Sequence, residues 1–179
     1  EQCLAFGVDL EDYVPELHPG PEDRAAAEAL LAAHGLSGGG PLVALIPFSR
    51  GAGRRWPLER YAEVGNRLAD EYRAACLILG ASGEAAEAEA LAGLMHRRPV
   101  VLAGQTSLGE AAAVLQRCQL AIGAETGLTH YSFAVGTPLI CLLGPSPMLN
   151  GPTGPTAVTL AAPCRHRPCR PHQRCRLQP

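Results

Sequence analysis

Residues 42–80 read LVALIPFSRGAGRRWPLERYAEVGNRLADEYRAACLILG, and this stretch decides the fold. It opens with an apolar run, Leu42–Pro47, crosses a loop of Gly and Arg, continues as an amphipathic segment from Pro57, and closes in a second apolar run, Ala75–Gly80. Short runs that are apolar throughout, without alternation, are the pattern of strands buried on both faces. Pro57 suits a helix start, where a missing amide costs nothing, and Tyr61, Val64, Leu68 and Tyr72 recur at helical spacing behind it. Strand, helix and strand in this order imply a right-handed crossover between parallel strands.

The same alternation extends outward. Further apolar runs stand at Pro99–Ala103, Gln119–Gly123 and Pro138–Leu143, and Ala157–Ala162 is a candidate sixth strand. Helical stripes are formed by Ala26, Leu30, Leu31 and His34, closed by Gly35, and by Ala85, Ala88, Leu91, Ala92 and Met95. Ser107 and Glu110 make a capping box for another helix, and a last one spans about Gly127 to Val135. The fold class is therefore α/β, one doubly wound parallel sheet over residues 21–162. Residues 1–20 read as a linker, and residues 163–179 as an Arg/Cys-rich tail.

The chain has 179 residues, 47% hydrophobic and 18% charged, the balance of a soluble globular protein, with a net charge of −2. All 15 basic residues are Arg, so a Schiff-base lysine and a phosphate-loop lysine are excluded, and phosphate recognition must use guanidinium or backbone donors. No apolar run reaches the roughly 18 residues needed to cross a bilayer, and the start lacks a secretory pattern, so a cytoplasmic location is expected. Of seven cysteines, Cys3, Cys76, Cys118 and Cys141 lie in or beside apolar stretches, which argues for reduced, packed thiols rather than a disulfide framework.

In an open parallel sheet the ligand crevice lies beyond the carboxyl ends of the strands, so the loops after the apolar runs are where chemistry is expected. The dinucleotide fingerprint is absent: Gly51-Ala-Gly53-Arg-Arg-Trp56 has Trp in place of the third Gly. There is also no Walker A sequence, no nucleophile elbow and, in the loops after the apolar runs, no pair of acids one residue apart to hold a divalent metal. The first loop carries Ser49, Arg50, Arg54 and Arg55 and suits an anion, or is a solvated turn pairing with surface acids. Gly80 permits a close approach after the second run, and Glu84 suits ribose hydroxyls or a helix dipole. In GAETGLTH, residues 123–130, Thr126 stands at an N-cap, and the amides of Gly127, Leu128 and Thr129 can face a phosphate. His130, one turn in, leans toward the same anion or is an interior histidine; Glu125, outside the helix, faces sugar hydroxyls. The tail places Cys164, Cys169 and Cys175 among His166 and His172; it reads as a solvated tail, a basic arm for an anionic surface, or a metal site of no standard spacing.

Together, SRGAGRRWPLERYAEV, LGASGE, LAGQTSLGEAAAVL, GAETGLTHYSFAVGTPLICLLGPSP and the Cys-containing tail resemble the ADP-heptose:lipopolysaccharide heptosyltransferases, glycosyltransferase family nine. Gly123, Thr126, Gly127, His130, Gly136, Thr137, Pro138, Gly144, Pro145 and Ser146 match the family's G-x-D-T-G-x-x-H, G-T-P and G-P-T/S positions. Two positions depart: Glu125 stands for the usual Asp, and Arg54 for the usual Lys. The resemblance implies one Rossmann-like half of a GT-B glycosyltransferase, the half that binds the nucleotide sugar. The acceptor domain would precede it, leaving no general base assignable here.

The activity implied by the resemblance is inverting, metal-independent transfer from ADP-heptose or a related donor to a lipopolysaccharide core acceptor, with no cofactor. Ser49, Arg54, Gly80, Glu84, Glu125, Thr126, Gly127 and His130 would form the donor site, and Arg54 and His130 would stabilise charge. The setting would be the cytoplasm at the inner face of the inner membrane, with peripheral contact to an anionic surface and no nucleic-acid partner. The rival readings are a nucleotide-sugar epimerase of the same architecture and a non-catalytic nucleotide-sugar binder.

Overall fold

The computed structural model describes residues 14–161 and 163. Cys3, most of the expected linker, Ala162 and the tail from Cys164 to Pro179 lie outside the described residues, and with them the readings placed on the tail.

Six strands form one parallel sheet: β1 (Leu42–Ile46), β2 (Ala75–Ile78), β3 (Val100–Val101), β4 (Leu120–Ala124), β5 (Leu139–Leu143) and β6 (Ala157–Ala161), in the order β3-β2-β1-β4-β5-β6. Each coincides with an apolar run of the sequence, trimmed at one or both ends except β4, which is shifted one residue on from Gln119–Gly123. Five α-helices accompany them: α1 (Pro21–Ala33), α2 (Leu58–Tyr72), α3 (Ala85–Leu94), α4 (Leu108–Arg117) and α5 (Gly127–Ala134).

The helices divide between two faces. Val43, Leu45, Cys76 and Ile78 point to the layer that holds Tyr61 and Ala62 of α2 and Ala88, Leu91 and Ala92 of α3. Leu42, Ala44, Ile46 and Leu77 point to the other, with Ala27 and Leu31 of α1, Val114 and Leu115 of α4, and Phe133 of α5. Strands between two helical layers have no water-facing side, which is why β1 is buried at every position. The sheet is doubly wound, and the order in which the chain adds strands reverses between β1 and β4.

Two helical stripes differ from the sequence reading. On α2 the buried positions are Tyr61, Ala62, Gly65 and Ala69, while Tyr72 is 65% exposed. At Gly65 there is no room for a side chain: a Cβ there would stand 2.5 Å from Met95 Cε, at the end of α3, and 3.5 Å from Leu45 Cδ1 of β1. His34 caps α1 from outside and is exposed, because the helix ends at Ala33 and Gly35 turns the chain with φ of +72°. Ser107 and Glu110 form the expected reciprocal cap: the Glu110 amide donates to Ser107 Oγ at 3.2 Å and the Ser107 amide to Glu110 Oε2 at 2.7 Å. Before α1, the Leu17 amide donates to the Ala134 carbonyl at 2.8 Å, tying residues 14–20 to the end of α5.

Candidate functional site

The reversal between β1 and β4 opens a crevice at their carboxyl ends, the place where open α/β sheets take ligands. Ile46 at the end of β1 is in register with Gly123 of β4, and Ala124 with Leu142 of β5. The loops that follow these three strands therefore emerge side by side. Gly123 is required by this arrangement, since a Cβ there would lie 2.7 Å from Ile46 Cβ and 2.8 Å from both Ile46 O and Thr129 Cγ2.

The loop after β1 brings three arginines to the crevice, and they have different tasks. Arg55 is spent on the fold: its Nε donates to the Ser49 carbonyl at 2.7 Å and its Nη1 to Glu87 Oε2 of α3 at 2.6 Å. Arg50 is exposed. Arg54, with 41% of its side chain exposed, directs Nη1 toward Glu125 Oε2 at 3.7 Å. An ion pair this long and this open contributes about 1 kcal/mol or less, so a phosphate competes readily for the guanidinium. Ser49 is buried, and its hydroxyl donates to the Glu125 carbonyl at 3.4 Å, joining the first loop to the one after β4.

Glu125 is the best-held polar side chain of the site, only 12% exposed. Besides Arg54 it receives Ser146 Oγ, which donates to the same Oε2 at 2.5 Å. Ser146 lies in the loop after β5 and is itself buried. It escapes the reading of candidate site residues from sequence because its contact spans 21 positions; its place in the G-P-S match is the one available signal.

Behind Glu125 the chain enters α5 with Thr126 at the N-cap in extended conformation. The Thr126 hydroxyl caps no amide of the helix; instead the Thr126 amide donates to Thr129 Oγ1 at 3.1 Å. The Thr129 amide is taken, donating to the Thr126 carbonyl at 3.2 Å, so the expectation of three free amides is corrected to those of Gly127 and Leu128. Neither has a partner among the described residues, as first-turn amides lack one within a helix, and together with the helix dipole they favour an anion. Nothing lies within 4 Å of where a Gly127 Cβ would stand, so the first turn of α5 is open on that side. His130 is exposed one turn further on, which removes the interior-histidine alternative.

The loop after β2 is more self-contained. Glu84 closes a 3-10 turn over Ser82–Glu84, its Oε2 accepting the Ala81 amide at 2.8 Å. The space left by Gly80 is filled by the chain itself, with Phe48 Cδ2 at 2.7 Å and Glu84 Oε2 at 2.9 Å from a Cβ placed there. Arg54 and Glu125 thus meet at the strand ends, with Ser49 tied to the Glu125 carbonyl; Thr126 and Gly127 open α5 next to Glu125, His130 stands exposed one turn in, and Gly80 and Glu84 stand on the neighbouring strand end.

Beneath the crevice, Trp56 meets Tyr61 edge-on at 5.2 Å and 76°. The Tyr61 hydroxyl is fully buried with no hydrogen-bond partner among the described residues, and burial pushes its pKa well above the ordinary phenol value. The Ala124 backbone lies close enough to offset some of that rise without meeting hydrogen-bond geometry.

Comparison with known proteins gives the family. The family model for Glycosyltransferase family 9 (heptosyltransferase) matches residues 2–179. The lipooligosaccharide heptosyltransferase 2 of Haemophilus influenzae is 32% identical over 171 residues, covering 88% of this chain and 49% of that protein. A glycosyl transferase family 9 structure from Veillonella parvula superposes with a TM-score of 0.80 at 26% identity, over 86% of this chain and 44% of that one. The Escherichia coli heptosyltransferase WaaC, solved with ADP-2-deoxy-2-fluoro heptose, gives a TM-score of 0.59 at 27% identity, over 69% and 38%. The chain spans half or less of the length of each of these relatives. On the match to the family model and the identity to these relatives, the chain belongs to glycosyltransferase family 9.

Proposed function

We propose that this chain is the donor-binding half of an inverting, metal-independent glycosyltransferase that moves a heptose or similar sugar from an ADP-sugar to a lipopolysaccharide core acceptor. The observation that carries the reading is the set of strand ends at the sheet reversal, where the Gly127 and Leu128 amides and Arg54 offer positive potential, with an exposed imidazole at His130, beside one well-held carboxylate. A diphosphate suits the amides and the guanidinium, and the sugar hydroxyls suit Glu125. The carboxylate and the diphosphate repel each other, so they must occupy opposite sides of the crevice.

The chemistry is dictated by charge. An acceptor hydroxyl oxygen bonds to the anomeric carbon as the bond from that carbon to the diphosphate oxygen breaks, and the hydroxyl proton passes to a base outside this half. Negative charge grows on the leaving diphosphate, and Arg54, His130 and the N-terminus of α5 stabilise it from fixed positions. Ser49 holds the first loop against the second, and Glu84 is the candidate for ribose, reached if it releases the Ala81 amide. The acceptor, a cytoplasmic setting and contact with an anionic membrane surface belong to the same proposal, through the half that this chain does not span.

Calorimetry with ADP tests it. Binding to the wild-type chain is expected, with Arg54→Ala and His130→Ala each weaker by about tenfold, or 1.4 kcal/mol. Unchanged affinity in both variants would remove these residues from the site and the proposal with them.

A further inference from the structure

The loop after β5 meets the backbone that carries Arg54 and the side chain of Glu125. A Cβ on Gly144 would lie 2.8 Å from the Gly53 carbonyl oxygen and 2.9 Å from Arg54 Cα. Both neighbours are backbone and cannot swing aside, so the absence of a side chain at 144 sets how near the Arg54 loop sits. Two residues on, Ser146 Oγ donates to Glu125 Oε2 at 2.5 Å. Arg54 Nη1 faces that same oxygen at 3.7 Å.

We propose that Gly144 and Ser146 are positioning residues for the donor site: Gly144 seats the backbone that carries Arg54, and Ser146 pins one oxygen of Glu125 so that the other faces the donor sugar. The proposal rests on the nucleotide-sugar reading above and deepens it.

Three observations lead to it. Ser146 is 4% exposed, so its hydroxyl does not meet a ligand in the crevice and any effect on binding passes through Glu125. A buried hydroxyl needs a partner, and this one is the crevice carboxylate itself. A glutamate has three side-chain torsions, one more than aspartate, and unpinned it would spread over several rotamers; the Ser146 bond at Oε2 and the Ser49 bond at its carbonyl hold both ends of the residue. Oε1 then stays free as an oriented acceptor for sugar hydroxyls.

The test compares ADP with ADP-heptose by calorimetry on the 179-residue chain, with thermal unfolding confirming that each variant folds. Ser146→Ala should weaken ADP-heptose binding at least tenfold while ADP affinity stays within about twofold, because ADP has no sugar beyond its diphosphate for Glu125 to meet. Ser146→Thr, which keeps the hydroxyl, should restore ADP-heptose affinity to within about threefold of wild type. In a Glu125→Ala background, Ser146→Ala should have no further effect on ADP-heptose, the non-additivity expected of residues acting through one another. Gly144→Ala, by displacing Arg54, should weaken both ligands.

If wild type binds both ligands but Ser146→Ala weakens them equally, weakens neither, or adds its effect to that of Glu125→Ala, the positioning role of Ser146 is wrong while the nucleotide-sugar reading stands. Wild-type binding to neither ligand would bring down that reading and this one together. Should Ser146→Ala not fold, Ser146→Thr and the Glu125→Ala comparison still decide, since loss of ADP-heptose affinity in the threonine variant contradicts the proposal.

Discussion

Two glycines four positions apart, Gly123 and Gly127, are opposites in the structure, and substituting each by alanine separates folding from ligand binding. At Gly123 the added methyl would stand 2.7 Å from Ile46 Cβ and 2.8 Å from the Ile46 carbonyl oxygen, so β1 and β4 must part to admit it. Overpacking of this kind costs about 1–3 kcal/mol, which in a domain of this size lowers Tm by about 2–12 °C. At Gly127 the methyl would meet nothing within 4 Å, and the residue is not in the left-handed region. Gly127→Ala should therefore leave stability unchanged or raise it by up to about 1 kcal/mol, by restricting the unfolded chain. Yet that methyl projects into the space through which a phosphate would approach the α5 amides, so ADP affinity should fall at least about tenfold, or 1.4 kcal/mol. Differential scanning calorimetry and isothermal titration on the same samples read both quantities. Wild-type ADP affinity in Gly127→Ala would refute the amide cradle, and a Tm loss there equal to that of Gly123→Ala would refute the steric reasoning.

Arg73 closes α2 with φ of +54°, where glycine is favoured, so Arg73→Gly should raise stability by about 1 kcal/mol, seen as a higher urea midpoint. Tyr61→Phe removes a buried hydroxyl that has no partner among the described residues; stability should hold or rise by about 1 kcal/mol, and a loss of that size would mean that the hydroxyl is bonded after all. Burial pushes the thiols of Cys76, Cys118 and Cys141 up to about 11, 12 and 11, so each stays protonated at neutral pH. Peptide mapping after alkylation at pH 8 should find these three unmodified in the native chain and modified in denaturant. On the surface, His96 and Arg97 lower the Asp70 pKa below its ordinary 3.8. The stability this gives is present above that value and lost as pH falls below it, so Asp70→Asn should flatten the acid limb of a stability profile.

Whatever depends on neighbours in sequence is legible in the chain alone. A strand covered on both faces is a continuous apolar run wherever it lies in the sheet, so β1, β2, β4 and β5 are visible as LVALI, ACLI, LAIGA and LICLL. Caps are equally local, which is why Ser107 and Glu110 are legible too. The α2 stripe fails at Tyr72 because periodicity weighs hydrophobicity without space: the helix buries Ala62, Gly65 and Ala69 instead, and at Gly65 Met95 leaves no room for a side chain. Arg54, Glu125 and Gly127 stand out as residue types at strand ends. The division of labour between Arg54 and Arg55 does not, because it depends on where Glu87 stands. Ser146 and Gly144 are hidden for the same reason: each matters through a contact with a loop far along the chain.

The crevice is a product of topology, and this governs when it can exist. Ser49 and Glu125, which tie its two walls together, are 76 positions apart, and between them the chain completes α2, β2, α3, β3 and α4 before β4 returns beside β1. Pairings at such separation must overcome loop-closure entropy before their contacts reward it, so they form late. A partly folded chain can therefore own finished helices and half a sheet yet have no affinity for nucleotide. The ligand then acts on the last step of folding alone, adding about 2.7 kcal/mol to the native state at a hundredfold excess over Kd.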